Sequence, residues 1–241
     1  MSDLRICIAG ATGWTGRDVA DGVLAAEDLE LASAVSRSAA GGDLGEALGR
    51  EPLGVPVHGA VGEALDGVDV LIDYTSPTAV KANTLTALEA GVAVVIGTSG
   101  LTAAMAQAAA LLAARHLPQW EILDYASATK PDVPSGTARE LAERLAEVRE
   151  PALGRPLDEI HGPREARGAD VAGTQIHSVR VPSFVVSTEV VFGAPDERLT
   201  IRHDAGATPA PYVAGTLLAA RRVPTMTGLT RGLDTLLLPA E

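Results

Sequence analysis

The run Lys130-Pro131-Asp132-Val133-Pro134-Ser135-Gly136-Thr137-Ala138 places an ammonium five residues before a Ser-Gly-Thr turn that opens a helix. Such an arrangement traps anions. Pro134 fixes φ near the helix start, Gly136 lets the backbone approach a ligand, and the N–H groups of Ser135, Gly136 and Thr137 meet the positive end of the helix dipole. Arg139 to Leu145 keeps helical spacing, which supports a helix beginning at the turn. Lys81 and Lys130 are the only two lysines, against seventeen arginines. A compact ammonium can hand over a proton or hold a carboxylate, whereas a guanidinium stays protonated and serves as a clamp. The same pattern also describes an ordinary helix cap beside a solvated lysine.

A second chemistry-bearing turn lies at the N-terminus. The apolar run Leu4 to Ala9 is followed by Gly10-Ala11-Thr12-Gly13-Trp14-Thr15-Gly16 and then by helical spacing from Arg17 to Leu24. Strand, glycine turn and helix in that order let a pyrophosphate sit against backbone N–H groups, which makes Gly10, Thr12, Gly13, Trp14, Thr15 and Gly16 cofactor candidates. A tight structural turn would use the same glycines. The next strand, Leu29 to Val35, ends at Ser36-Arg37-Ser38. An acid there would read a ribose 2′-hydroxyl, but Ser36 and Arg37 suit a 2′-phosphate, so NADPH is expected ahead of NADH. Arg37 as a solvated loop charge is the alternative. Two further buried strands, Val68 to Tyr74 and Val92 to Ile96, end in Tyr74-Thr75 and Gly97-Thr98, where ligands of parallel sheets gather.

These turns need elements to hold them. The spacing predicts helices over 78–90, 102–116, 134–148 and 211–222, a strand over 121–125, and a closing segment over 232–238. Residues 150–172 carry few apolar anchors. Strands over 174–181, 184–192 and 199–203 alternate like an antiparallel sheet, with Gly193 to Glu197 as a hairpin turn. The expected class is α/β: an N-terminal Rossmann-type parallel sheet, plus an α+β domain with an open mixed sheet. The expected domains are 1–101 with 207–241 for the dinucleotide, and 102–206 for the substrate and for oligomerisation.

Bulk properties set limits. A chain of 241 residues can bury a sizeable core, and its formal charge of −12 disfavours a nucleic-acid backbone as partner. No apolar run of about 18 residues is uninterrupted, and Met1-Ser2-Asp3 leads directly into the first strand, so a cytoplasmic protein with no membrane partner is expected. The single cysteine, Cys7, reads as a buried, inert thiol. No metal site is expected.

Taken together, Gly10 to Gly16, Asp73-Tyr74-Thr75, Gly97-Thr98-Ser99-Gly100, Lys130 to Ala138, Ile176 to Arg180 and Glu197 to His203 resemble the dihydrodipicolinate reductases, nearly end to end. That resemblance implies a Rossmann domain, a tetramer-forming substrate domain, and hydride transfer from NADH or NADPH to a cyclic, dicarboxylated substrate of lysine biosynthesis. It implies Lys130 as proton donor or substrate contact, and Ser135, Gly136 and Thr137 as carboxylate holders. Gly10, Gly13, Gly16, Arg37, Tyr74, Thr75, Gly97 and Thr98 would line the cofactor.

Three departures stand out. Ala126 and Ser127 occupy the positions of a His-His pair that the family uses for acid and substrate contacts. Asp204 to Ala210 holds no counterpart of a carboxylate-gripping arginine. The chain is also roughly 25 residues shorter than family members after Gly100, enough to remove a sheet strand beside the cofactor. Tyr125, with Asp124 as orienting partner, is a substitute proton donor, while His177 and His203 read as structural.

The expected function is therefore an NAD(P)H-dependent reduction of a C=N bond in a small carboxylated substrate, altered from the family's usual one. The alternatives are the family's own reaction, 4-hydroxy-tetrahydrodipicolinate reduction with a non-His proton source, and a catalytically silent nucleotide-binding sensor or scaffold.

Overall fold

The computed structural model describes residues 3–97 and 101–237. The chain divides into two compact units, Met1–Leu101 with Thr208–Glu241, and Thr102–Ala207.

In the first unit β1 (Leu4–Ala9), β2 (Leu29–Val35), β3 (Val57–His58), β4 (Val70–Asp73) and β5 (Ala93–Ile96) form a parallel, Rossmann-like sheet in the order β3-β2-β1-β4-β5. Ile6 to Ala9 and Val70 to Ile72 have no exposure. Unbroken burial is what a parallel strand covered on both faces requires, and explains why these runs do not alternate. The chain winds outward in both directions from β1, so the order reverses between β1 and β4. Ala9 is paired with Asp73 there, and the Tyr74 N–H donates to the Ala9 carbonyl at 3.0 Å. The glycine turn and the Tyr74-Thr75 turn thus leave the sheet side by side, at the position where such folds take ligands.

The helices of this unit include α1 (Trp14–Leu24), the short α2 (Leu44–Ala47), α3 (Val80–Glu89) and α6 (Ala210–Arg222). α1 begins three residues before the expected start and takes in Gly16. The C-terminal helix α6 packs on α1 closely enough that a Cβ at Gly22 would lie 2.3 Å from the Val213 side chain. The Arg221 guanidinium closes the contact by donating to both Asp28 oxygens at 2.6 and 2.7 Å.

The second unit holds β6 (Gln119–Ala126), β7 (Ala169–Val171), β8 (Thr174–Arg180), β9 (Val186–Ala194) and β10 (Glu197–Asp204), in the order β10-β9-β6-β8-β7. α4 (Leu101–Ala114) and α5 (Gly136–Val148) supply the helical layer. The sheet is mixed: β6 runs parallel to β8 and antiparallel to β9. The expected mixed sheet and the β9-β10 hairpin are present, and β8 and β9, consecutive in the chain, do not pair because β6 lies between them. Trp120, Ile122, Asp124 and Ala126 are all buried on one face of β6, the alternation expected of a strand covered on one side by a helical layer. Trp120, Ile122, Ile176, Val190 and Phe192 meet Ala110, Ala114, Leu141 and Leu145 in that core. β3 and β7 escape the sequence pattern because two or three residues are too few to show a period. α7 (Asp234–Leu237), part of the first unit, ends the described chain.

Cys7 lies in β1 with no exposure, and burial, opposed by a hydrogen bond with Ser33, pushes its thiol up to about 11 from an ordinary value of 9.0. The native thiol should not react with a disulfide reagent until the protein unfolds. Because an unfolded thiol ionises at lower pH than this one, stability should fall as pH rises from about 9 towards 11, and Cys7→Ala should flatten that slope in denaturant titrations.

Candidate active site

The end of the parallel sheet encloses a cavity of about 520 Å³, whose lining includes Gly10, Thr12, Gly13, Ser36, Arg37, Tyr74, Thr75 and Asn83. Gly10 has φ of 82°, and a Cβ there would lie 2.7 Å from the Tyr74 carbonyl. At Gly16 a Cβ would fall 2.1 Å from the Gly10 carbonyl. Both positions therefore need glycine to bring the turn, the sheet and α1 together. Gly13 precedes α1 with no side-chain cap, which leaves the first-turn amides without a capping side chain. These features fit a dinucleotide: a cradle that side chains would fill, a helix end with no cap, and an exposed guanidinium at the end of β2.

The individual residues divide. Arg37 is exposed and pairs with no carboxylate among the described residues. Ser36 is buried, and its hydroxyl is engaged with the Thr12 hydroxyl at 2.7 Å, so it braces the glycine turn. Tyr74 shares a hydrogen bond with the Thr216 hydroxyl of α6 at 2.7 Å. Trp14, Thr15, Gly16 and Gly97 lie outside the cavity lining, and Thr98 lies outside the described residues. Sequence reasoning gave Asp73 no role of its own and missed Asn83. Asp73 is buried and accepts from the Thr75 N–H at 2.8 Å, the Thr75 hydroxyl at 2.6 Å and the Asn83 amide at 2.8 Å, fixing two residues of the lining. An acid ending an apolar strand two residues before a threonine was the available signal.

In the second unit, Ser135 caps α5, its hydroxyl accepting from the Ala138 N–H at 3.3 Å. The amides expected to be free are not all free. The Ser135 N–H donates to Asp124 Oδ2 at 2.8 Å, and the Gly136 N–H to Asp132 Oδ2 at 3.3 Å. The Lys130 ammonium pairs with Asp132 Oδ1 at 2.8 Å. Two carboxylates of the chain have reached the helix end first, because an N-terminus and an ammonium attract whichever anion is tethered nearby. For the Thr137 N–H no acceptor is found among the described residues.

Asp124 has no exposure. Its Oδ2 also accepts from the Ser178 hydroxyl at 3.1 Å and from Arg180 at 2.7 Å. Burial acts to raise its pKa, but the hydrogen bonds from Arg180 and Ser135 outweigh it and hold the carboxyl below its ordinary value. Arg180 donates further to the backbone carbonyls of Asp124 and Asp132, both at 2.9 Å, and so ties the Lys130 loop to β6. A lone arginine on a strand gives little sign of this role in sequence.

Tyr125 is not brought to Asp124. Neighbours along a strand face opposite ways, so Tyr125 lies across the sheet from Asp124, stacked on Phe184 with centroids 5.1 Å apart, its hydroxyl 3.4 Å from Glu189 Oε2. The expected donor pair is corrected accordingly. His177 pairs with Glu121 at 2.7 Å, on the same side as Tyr125. His203 contacts the Thr102 hydroxyl at 3.0 Å, and burial lowers its pKa. Ser127 shares a hydrogen bond with the Thr129 hydroxyl at 3.1 Å, and Ala126 is buried.

Comparison with known proteins agrees with this geometry. The family described as dihydrodipicolinate reductase, N-terminus, matches residues 4–119, and dihydrodipicolinate reductase, C-terminus, matches residues 97–237. The 4-hydroxy-tetrahydrodipicolinate reductase of Desulfitobacterium hafniense is 35% identical over 267 positions, covering 98% of this chain and all of the relative. That of Thermosynechococcus vestitus is 34% identical over 97% of each. A solved structure described as dipicolinate-bound dihydrodipicolinate reductase from Paenisporosarcina sp. TG-14 superimposes with a TM-score of 0.78 at 28% identity, covering 96% of this chain and 98% of that one.

Fold, cofactor cradle and relatives together define an NAD(P)H-dependent oxidoreductase. The chain belongs to the dihydrodipicolinate reductase family. The Desulfitobacterium alignment spans 267 positions, more than the chain's 241 residues, so that relative carries residues with no counterpart here.

The two acids of the second unit should differ sharply in mutation. Asp124→Ala leaves a mostly buried Arg180 unpaired and should cost about 3–5 kcal/mol of unfolding free energy. Asp132→Ala removes a solvent-exposed pair and should change stability by less than about 1 kcal/mol, both read from urea midpoints.

Proposed function

We propose that this reductase acts on the C=N bond of a small cyclic imine bearing two carboxylates, the reaction named for its relatives, with NADPH preferred over NADH. The observation that carries this reading is the convergence of Lys130 with the N-terminus of α5 on one loop that Arg180 ties to β6. In this reading the first unit binds the dinucleotide. Gly10, Thr12, Gly13, Trp14, Thr15 and Gly16 serve the pyrophosphate, Ser36 and Arg37 take the adenosine side, and Tyr74, Thr75 and Gly97 serve the rest of the cofactor, with Thr98 assigned beside them from the sequence alone. The second unit binds substrate, with Lys130 opposite one carboxylate and Ser135, Gly136 and Thr137 around the helix end.

The nicotinamide supplies the hydride; the chain positions and polarises the acceptor. Lys130 balances the substrate's negative charge and is the group placed to deliver a proton to the imine nitrogen. Ala126 can supply none. Tyr125, on the far side of the sheet, has no part in this step. The protein is further proposed to work in the cytoplasm, in lysine and diaminopimelate biosynthesis, as a homotetramer assembled through its second unit.

A second reading, an altered and less charged imine, is favoured by Ala126 and Ser127 standing where the resemblance calls for two imidazoles. Side-by-side assays with NADPH separate the two. Rapid turnover of the dicarboxylated imine is expected, whereas turnover confined to a monocarboxylated one would establish the second reading, and none at all with NADPH still bound would leave a silent nucleotide-binding protein. Lys130→Ala should reduce kcat/KM for the acceptor at least about a hundredfold without changing NADPH affinity. Arg37→Ala should raise the KM for NADPH about tenfold or more and leave that for NADH nearly unchanged.

A further inference from the structure

Asp132 lies in the middle of the site just assigned to a carboxylate. Its Oδ1 is 2.8 Å from the Lys130 ammonium and its Oδ2 accepts from the Gly136 N–H at 3.3 Å. An ammonium and a helix-end amide, the two groups a ligand carboxylate would use, are thus held by a carboxylate of the chain. We propose that Asp132 is a built-in stand-in for the substrate carboxylate: it neutralises Lys130 and the α5 N-terminus in the free protein, and the ligand's carboxylate displaces it on binding. The inference rests on the functional reading above and adds the residue that tunes affinity at that site.

The contrast with Asp124 supports displacement. Asp124 has no side-chain exposure and gathers three donors on one oxygen, at 2.7, 2.8 and 3.1 Å, so it is fixed. Asp132 is 37% exposed and its partner Lys130 30%, and the Gly136 contact is long. Pairs of that exposure hold each other weakly. The Asp132 carbonyl accepts from Arg180 at 2.9 Å, so the backbone is anchored and only the side chain need rotate away. Exchange of one carboxylate for another conserves charge at the site. An uncharged ligand that expelled Asp132 would leave an ammonium and a helix end without a counter-charge, so neutral analogues bind weakly and do not recover what the displacement costs.

The test is calorimetric titration of the full, NADPH-saturated chain with dipicolinate and with its neutral diamide. Asp132→Asn, which keeps an acceptor for the Gly136 N–H, should bind dipicolinate about two- to fivefold more tightly than wild type, because an exposed ionic competitor is gone. Asp132→Ser should behave alike, and diamide binding should tighten by a similar factor in both, because either ligand is spared the displacement of Asp132. Unchanged or weaker dipicolinate binding in both variants, with native circular dichroism, would overturn the inference while leaving the functional reading intact, since Asp132 would then merely orient Lys130. Failure of dipicolinate to bind even the wild type would remove the functional reading and the inference together.

Discussion

A carboxylate with no contact with solvent has to be neutralised where it stands, and the neutralisation of Asp124 organises the second unit. Three donors from two different segments converge on one of its oxygens: the Ser135 amide at the start of α5, and the Ser178 hydroxyl and Arg180 guanidinium of β8. Arg180 is thereby oriented to reach the Asp132 carbonyl, so the loop that carries Lys130 is held from within. An apolar residue at 124 would fill the space more cheaply, since buried ion pairs seldom add net stability over a hydrophobic replacement. What the charge contributes is position: β6, β8 and the α5 cap meet in one register.

The first unit solves a comparable problem with glycine. Parallel strands buried on both faces bring their carboxyl ends to one edge, and the reversal between β1 and β4 opens a gap that only backbone can line closely. Gly10 and Gly16 allow that approach, and Asp73 stiffens the opposite lip through Thr75 and Asn83. Where a short polar network suffices, as at Thr12 and Ser36, the hydroxyls brace each other.

Much of this was legible in the sequence, and the reasons follow the residues. Uninterrupted apolar runs ending in glycine or small polar residues gave β1, β2, β4 and β5, and the Lys130 to Ala138 run gave the cap of α5. The pairing of β6 between β8 and β9 was not legible, because strand order depends on contacts across some fifty to seventy residues, which no local period records. The amides of Ser135 and Gly136 read as free because Asp124 and Asp132 come close only through the strand end and the loop. Tyr125 beside Asp124 looked like a pair in sequence, yet the pleat of a strand sends them to opposite sides.

The first unit is built from both ends of the polypeptide, and this bears on synthesis. α6 packs on α1 and braces Tyr74, yet nearly two hundred residues separate α6 from α1. On a ribosome the leading hundred residues emerge without the helix that completes them, whereas the second unit, one continuous span, can close as soon as it clears the exit tunnel. The portion made first is thus the last to mature, since its face towards α6 stays uncovered until that helix has been made.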